Sequence, residues 1–199
     1  MELLLIRHGQ SEADLLGVHE GRADFPLTEL GLEQAAKLAD YVSSNLKPDI
    51  IVASPLKRAL QTAAILQEAI GCKLHVDETL MEWNNGVLAG LPYEVAATRY
   101  PLPKEGRPPY VPIEGGESDL EFRFRAEAFL QKVIHEHADA ERVAIVSHGG
   151  MISNLIQAYL KLPAVNEFIF PTGDTGFHRL EERNGNKVVR MLNSQVHLL

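Results

Sequence analysis

Leu3-Leu4-Leu5-Ile6-Arg7-His8-Gly9 runs four apolar residues straight into an arginine, a histidine and a glycine. A run without a polar position suits a strand covered on both faces, as in a parallel sheet with helices on either side. Ile50 to Ala53 and Val143 to Val146 read the same way, and each of the three runs precedes a stretch of helical periodicity. Strands alternating with helices predict an α/β three-layer sandwich. Its central sheet is mostly parallel, helices lie on both faces, and functional side chains gather at the carboxyl ends of the strands.

The helices carry their own punctuation. Leu32, Ala35, Ala36, Leu38, Ala39 and Val42 recur at helical spacing behind Thr28, a suitable cap. Ala59, Ala63, Ile65, Leu66 and Ile70 do so between Pro55, placed for a first helical turn, and Gly71. Leu120, Phe124, Phe129, Leu130, Val133 and Ile134 mark an amphipathic helix running towards His137, and another is expected after Gly149-Gly150. Near the end, Gly176 to Leu180 and Lys187 to Leu192 flank Asn184-Gly185, which predicts an antiparallel C-terminal hairpin. Residues 91–117 hold six of the chain's eleven prolines and are expected to form a mostly irregular, lid-like insertion. At 199 residues, with no linker or internal repeat, residues 1–199 read as a single domain.

Composition narrows the function. The chain is 45% hydrophobic and 23% charged, normal for a globular protein, and its formal net charge of -8 disfavours coating nucleic acid or anionic membrane. Cys72 is the single cysteine, so no internal disulfide can form. Arg7 and His8 cut short the apolar start, and no segment reaches the length of a membrane span. A cytoplasmic protein is expected, monomer or homodimer, with no nucleic-acid or membrane partner.

An acidic chain that binds an anion must do so with a local cationic cluster. Arg7 and His8 end the first strand, and Ser147-His148-Gly149-Gly150 repeats the arrangement after the Val143 strand. Arg58 lies one turn into the helix that follows the Ile50 strand. Two arginines and two histidines converging at one sheet edge would hold a tetrahedral dianion, because guanidinium groups donate paired hydrogen bonds and stay charged. His135-Glu136-His137 is a poor metal cluster, since its histidines fall on different sides of a helix. No metal and no cofactor are expected.

These pieces also form a known pattern. Arg7-His8-Gly9-Gln10-Ser11, the run Ser54 to Ala63, Glu82 and Ser147-His148-Gly149 together resemble the histidine phosphatase superfamily, also called phosphoglycerate-mutase-like. Asp24 to Thr28 with Gly31, Glu82 to Gly90 and Gly116-Glu117-Ser118 follow in the same order. The resemblance implies a phosphomonoester hydrolase of the histidine acid phosphatase type. In it His8 attacks phosphorus and forms a phosphohistidine, while Arg7, Arg58 and His148 hold the phosphoryl oxygens and Gly149 lies in the substrate site. It also makes Glu82 the acid that protonates the leaving oxygen and then helps activate water.

The runner-up within the resemblance is a cofactor-dependent mutase; a silent module that binds phosphorylated ligands is the third reading. Mutases typically follow the glutamate with Arg-His-Tyr-Gly, a lysine soon after, and an arginine pair in a longer insertion. Here Glu82-Trp83-Asn84-Asn85-Gly86 replaces that run, Tyr93 stands at the lysine's place and the arginine pair is missing, which favours hydrolysis of a monophosphate. Asp14 and Glu20 stand where many relatives carry Asn and Gln. Both are expected beside the phosphate, disfavouring highly anionic substrates; the alternative is that they face solvent or pair with Arg22. Tyr93, Arg99, Tyr100, Arg107 and Tyr110 are candidates for contacting the leaving group.

Overall fold

The computed structural model describes residues 1–199. Its strands are β1 (Glu2–Arg7), β2 (Ile50–Ala53), β3 (Lys73–Val76), β4 (Arg142–Ser147), β5 (Phe177–Arg183) and β6 (Asn186–Ser194). They form one six-stranded sheet in the order β3-β2-β4-β1-β5-β6. The first four in that order are mutually parallel, whereas β5 runs antiparallel to β1 and β6 antiparallel to β5. The α/β expectation, including the C-terminal hairpin, therefore holds.

Six helices complete the fold: α1 (Glu12–Leu16), α2 (Glu29–Asn45), α3 (Lys57–Ile70), α4 (Tyr93–Arg99), α5 (Asp119–Glu136) and α6 (Gly149–Tyr159). The alternation of side chains along β1 explains the layering. Leu4 and Ile6 join the core under α2 and α3, while Leu3 and Leu5 join the core under α5 and α6. Each face of the strand thus has its own helical cover.

The predicted signals act locally as expected. Thr28 caps α2 by accepting a hydrogen bond from Gly31 N–H at 3.0 Å, and Gly71 ends α3 with φ of 76°. Ser118 and Glu121 form a capping box at the start of α5. Asn184 and Gly185 both take positive φ, the requirement of a two-residue turn between Arg183 and Asn186.

Two expectations need adjustment. Pro55 lies before α3, whose N-cap is Leu56. Residues 91–117 are not irregular throughout: α4 occupies Tyr93–Arg99, started by Pro92, and only the remainder lacks helix or strand. The insertion is pinned at its roots, since His19 N–H donates to Leu91 O at 2.9 Å and Glu117 N–H donates to Asn84 O at 2.9 Å. No helix is long and apolar enough to cross a membrane.

Candidate active site

Strand order explains how residues far apart in sequence meet. β2, β4 and β1 lie side by side and parallel, so their carboxyl ends deliver Ser54, His148 and His8 to one edge of the sheet. His8 N–H donates to Ser147 O at 3.1 Å, and Ser54 N–H donates to Val146 O at 3.0 Å, extending the ladder just past the strands. The rings of His8 and His148 end with centroids 5.1 Å apart.

His8 is only 1% exposed. Its Nδ1 lies 2.7 Å from the carbonyl of Gly9, and a carbonyl can only accept, so the ring proton sits on Nδ1. Nε2 is left with its lone pair. Burial, the Arg58 guanidinium and that of Arg7 together hold the imidazole well below the usual histidine range, which keeps it neutral. Arg58 Nε donates to Nε2 at 3.2 Å.

The loop behind His8 depends on a close approach. A Cβ on Gly9 would fall 2.5 Å from Gly31 O, and one on Gly31 would fall 2.1 Å from Gln10 O. Glycine at both positions lets the first turn of α2 press against the loop. Thr28 N–H completes the brace by donating to Gln10 O at 3.0 Å.

Arg58 is fully buried in the first turn of α3. It donates Nη1 to Ala23 O and Nη2 to Gly21 O, both at 2.9 Å, while Nε lies 3.3 Å from Glu20 Oε1. Burial depresses its pKa, and Glu20 and Glu82 work against that shift. Arg7 donates Nη1 to Thr172 O at 2.7 Å and pairs with Asp174 at 3.4 Å; its Nε is buried without a protein partner. His148 Nε2 lies 2.8 Å from Ser54 Oγ, and its Nδ1 is likewise buried without a partner. Burial and the neighbouring Arg58 hold His148 well below the ordinary histidine value too.

Glu82 joins this edge from the other side. Its carboxylate accepts from Gly150 N–H at 2.9 Å, at the start of α6, and from Trp83 N–H at 2.8 Å. Arg125 steadies the same segment by donating to Met81 O at 2.6 Å and Glu82 O at 3.2 Å. Its charge is balanced by Glu117, which also faces Arg22 at 3.6 Å.

The two substituted carboxylates separate. Glu20 lies in the cradle, 3.8 Å from His8 Nε2, and accepts from Ser11 Oγ. Burial raises its pKa despite the pull of Arg58. Asp14 instead closes a capping box on α1, accepting from Ser11 N–H at 2.8 Å. Neither pairs with Arg22. Gly149, the first residue of α6, lines an open cleft that passes over the helix start.

One part of that cleft, about 640 Å³, runs from Arg7 and Gly149 to Phe168 and Thr172. The other, about 450 Å³, runs from Glu20 and Glu82 to His19 and Tyr93. Gly150, Asp119, Phe122 and Asn154 border both. Of the five insertion candidates, Tyr93 lines the cleft, whereas Arg99, Tyr100, Arg107 and Tyr110 do not. No group of three or more His, Cys, Asp or Glu side chains gathers in a metal-holding arrangement.

A sequence profile of the histidine phosphatase superfamily (branch 1) matches residues 3–195, nearly the whole chain. The chain belongs to the histidine phosphatase superfamily. Among this superfamily member's relatives is phosphoserine phosphatase 1 of Hydrogenobacter thermophilus, 28% identical over 100% of this chain and 94% of that one. Glucosyl-3-phosphoglycerate phosphatase of Mycolicibacterium vanbaalenii is 32% identical over 82% of this chain and 76% of its own length. The crystal structure of the α-ribazole phosphatase from Shigella flexneri superposes with a TM-score of 0.87 at 26% identity, covering 98% of this chain and 97% of that one.

Several residues of the superfamily member's site escape sequence reading. Thr172 and Asp174, which orient Arg7, lie in the loop before β5, and Arg125 lies on α5, in a pattern that reads only as amphipathic. Ser54 stood within the matching motif, and its spacing after the Ile50 strand could have marked it as a partner for the histidine after the Val143 strand.

Proposed function

We propose that this protein is a phosphomonoesterase of the histidine acid phosphatase type that hydrolyses a small-molecule phosphate ester through a phosphohistidine on His8. The observation that carries the reading is the neutral His8 ring, with its proton fixed on Nδ1 and its Nε2 lone pair beside Arg58.

The substrate's phosphoryl group would enter where the Glu20 carboxylate now meets Arg58, and the two anions would compete for that guanidinium. The lone pair of Nε2 attacks phosphorus as the bond to the leaving oxygen breaks, and the proton for that oxygen comes from the Glu82 carboxyl. Arg7, Arg58 and an N–H on His148 Nδ1 balance the charge spread over the equatorial oxygens. That His148 tautomer follows if Ser54 donates its hydroxyl proton to Nε2. Water then attacks phosphorus, Glu82 takes its proton, and the P–N bond breaks to restore His8 and release inorganic phosphate. No step needs a metal.

Hydrolysis is favoured over mutase chemistry by the charge of the cleft. Arg7 is the one Lys or Arg lining either part, so nothing comparable is placed to grip a second phosphate. The test is the covalent intermediate. Quenching turnover of a radiolabelled ester should leave an acid-labile, alkali-stable label on the wild type. His8→Ala should abolish both the label and the hydrolysis of p-nitrophenyl phosphate. Turnover that survives the alanine variant would refute the reading.

A further inference from the structure

The part of the cleft beside Glu82 has a chemical character of its own. A leaving group protonated by Glu82 must lie next to that carboxyl, and the pocket of about 450 Å³ shares both Glu82 and Glu20 with the phosphate end. Its wall adds the carboxylate of Asp119 and the rings of Trp83 and Tyr93, and no Lys or Arg lines it. Tyr93 is braced edge-on by His19, with ring centroids 4.8 Å apart, and Trp83 is anchored by its indole N–H to Glu117 O at 2.9 Å. Of the arginines behind the wall, Arg58 is held by Glu20 and by the Gly21 and Ala23 carbonyls, while Arg22 and Arg125 face Glu117.

A separate observation asks for a hydrogen-bond donor. Asn85, also part of this wall, is only 3% exposed, yet its amide oxygen meets no donor from the protein. It lies so close to Gly21 that a Cβ there would fall 1.8 Å away. Acceptor oxygens, carboxylates and aromatic rings share one complementary ligand, a cation that carries N–H groups.

Resting on the phosphatase reading above, we propose that the preferred substrate is a phosphate monoester whose alcohol part bears a primary alkylammonium group and no second anion. The ammonium lies between Asp119, Asn85 and the Trp83 and Tyr93 rings, while the phosphoryl group meets His8 and Arg58. The same acidic wall turns away esters whose alcohol part is a carboxylate or a second phosphate.

A matched series at pH 7 tests this: 2-aminoethyl phosphate, n-propyl phosphate and phosphoglycolate, with p-nitrophenyl phosphate as the reference ester. The expected kcat/KM order is aminoethyl, then propyl, then phosphoglycolate, with the first ahead of the second by at least about fivefold. In Asp119→Asn the ratio of aminoethyl to propyl should fall about threefold, and added salt should lower the ratio in the wild type. Equal or better turnover of propyl phosphate or phosphoglycolate, while the reference ester is hydrolysed, overturns the inference and leaves the phosphatase reading standing. Failure to hydrolyse any of the four esters overturns both.

Discussion

The two ends of the cleft are built on different principles. At the phosphate end, His8, Arg58 and His148 are almost wholly buried; backbone carbonyls hold His8 and Arg58, Arg58 donates to His8, and His148 meets the Ser54 hydroxyl. At the far end, Tyr93 is more than half exposed, and α4 belongs to an insertion pinned at its roots and by Leu120 N–H to Pro109 O at 3.0 Å. Buried, hydrogen-bonded groups keep one geometry, whereas an exposed wall can be altered without disturbing the core. On the proposed reading, the chemistry common to phosphate esters sits on the sheet, and discrimination among alcohols sits on the excursions from it.

Glu82 stands at the seam, so its replacement is the sharpest way to separate the two ends. Glu82→Gln should slow hydrolysis of an alkyl phosphate by about 10²–10⁴, because a poor leaving group needs the proton. p-Nitrophenyl phosphate, whose leaving group hardly needs one, should lose far less, and comparing kcat on the two esters checks this. Equal losses would move Glu82 from proton donor to mere support for the phosphate end.

Glu20 blurs the division, since it lines the outer pocket and contacts Arg58. Removing its charge should let phosphate compete better for the guanidinium. Glu20→Gln is expected to lower the inhibition constant for inorganic phosphate about tenfold. An unchanged constant would mean that the carboxylate moves aside without cost when phosphate enters.

The smallest effect concerns stability in acid. His8 and His148 are held well below the 6.5 of a free histidine, and burial pushes His178 and His197 to about 4. With the folded value depressed, the unfolded chain binds more protons as pH falls below about 6.5, so stability should be lost down to about 4. Glu20 and Asp174, whose pKa values are raised by burial, pull the other way over part of that range. Melting temperature should drop by several degrees between pH 7 and pH 5; a flat profile would contradict the dry environment inferred for the phosphate end.

The same contrast decides what could be read from sequence. β1, β2 and β4 announce themselves because both faces are covered and their central positions are all apolar. β3 does not, since it is an edge strand, mostly exposed, spelled Lys73-Leu74-His75-Val76. α1 and α4 are too short for a periodic pattern, and α4 hides among prolines. His8, Arg7, Arg58 and His148 were legible because strand ends and one helix turn fix their positions. The fates of Asp14 and Glu20 were not, for both compete for Ser11 and only the path of the loop assigns one to a helix cap and the other to Arg58.

Arg58 holds two loop carbonyls with the same fork that would meet phosphate. Charge and architecture are consequently inseparable at this residue, and an alanine there would loosen the Gly21 to Ala23 turn as well as discharge the site. Lysine would keep the charge on a single point but could not reach both carbonyls and the nucleophile at once, so even the mildest cationic replacement would let that turn drift into the space where the ester must lie.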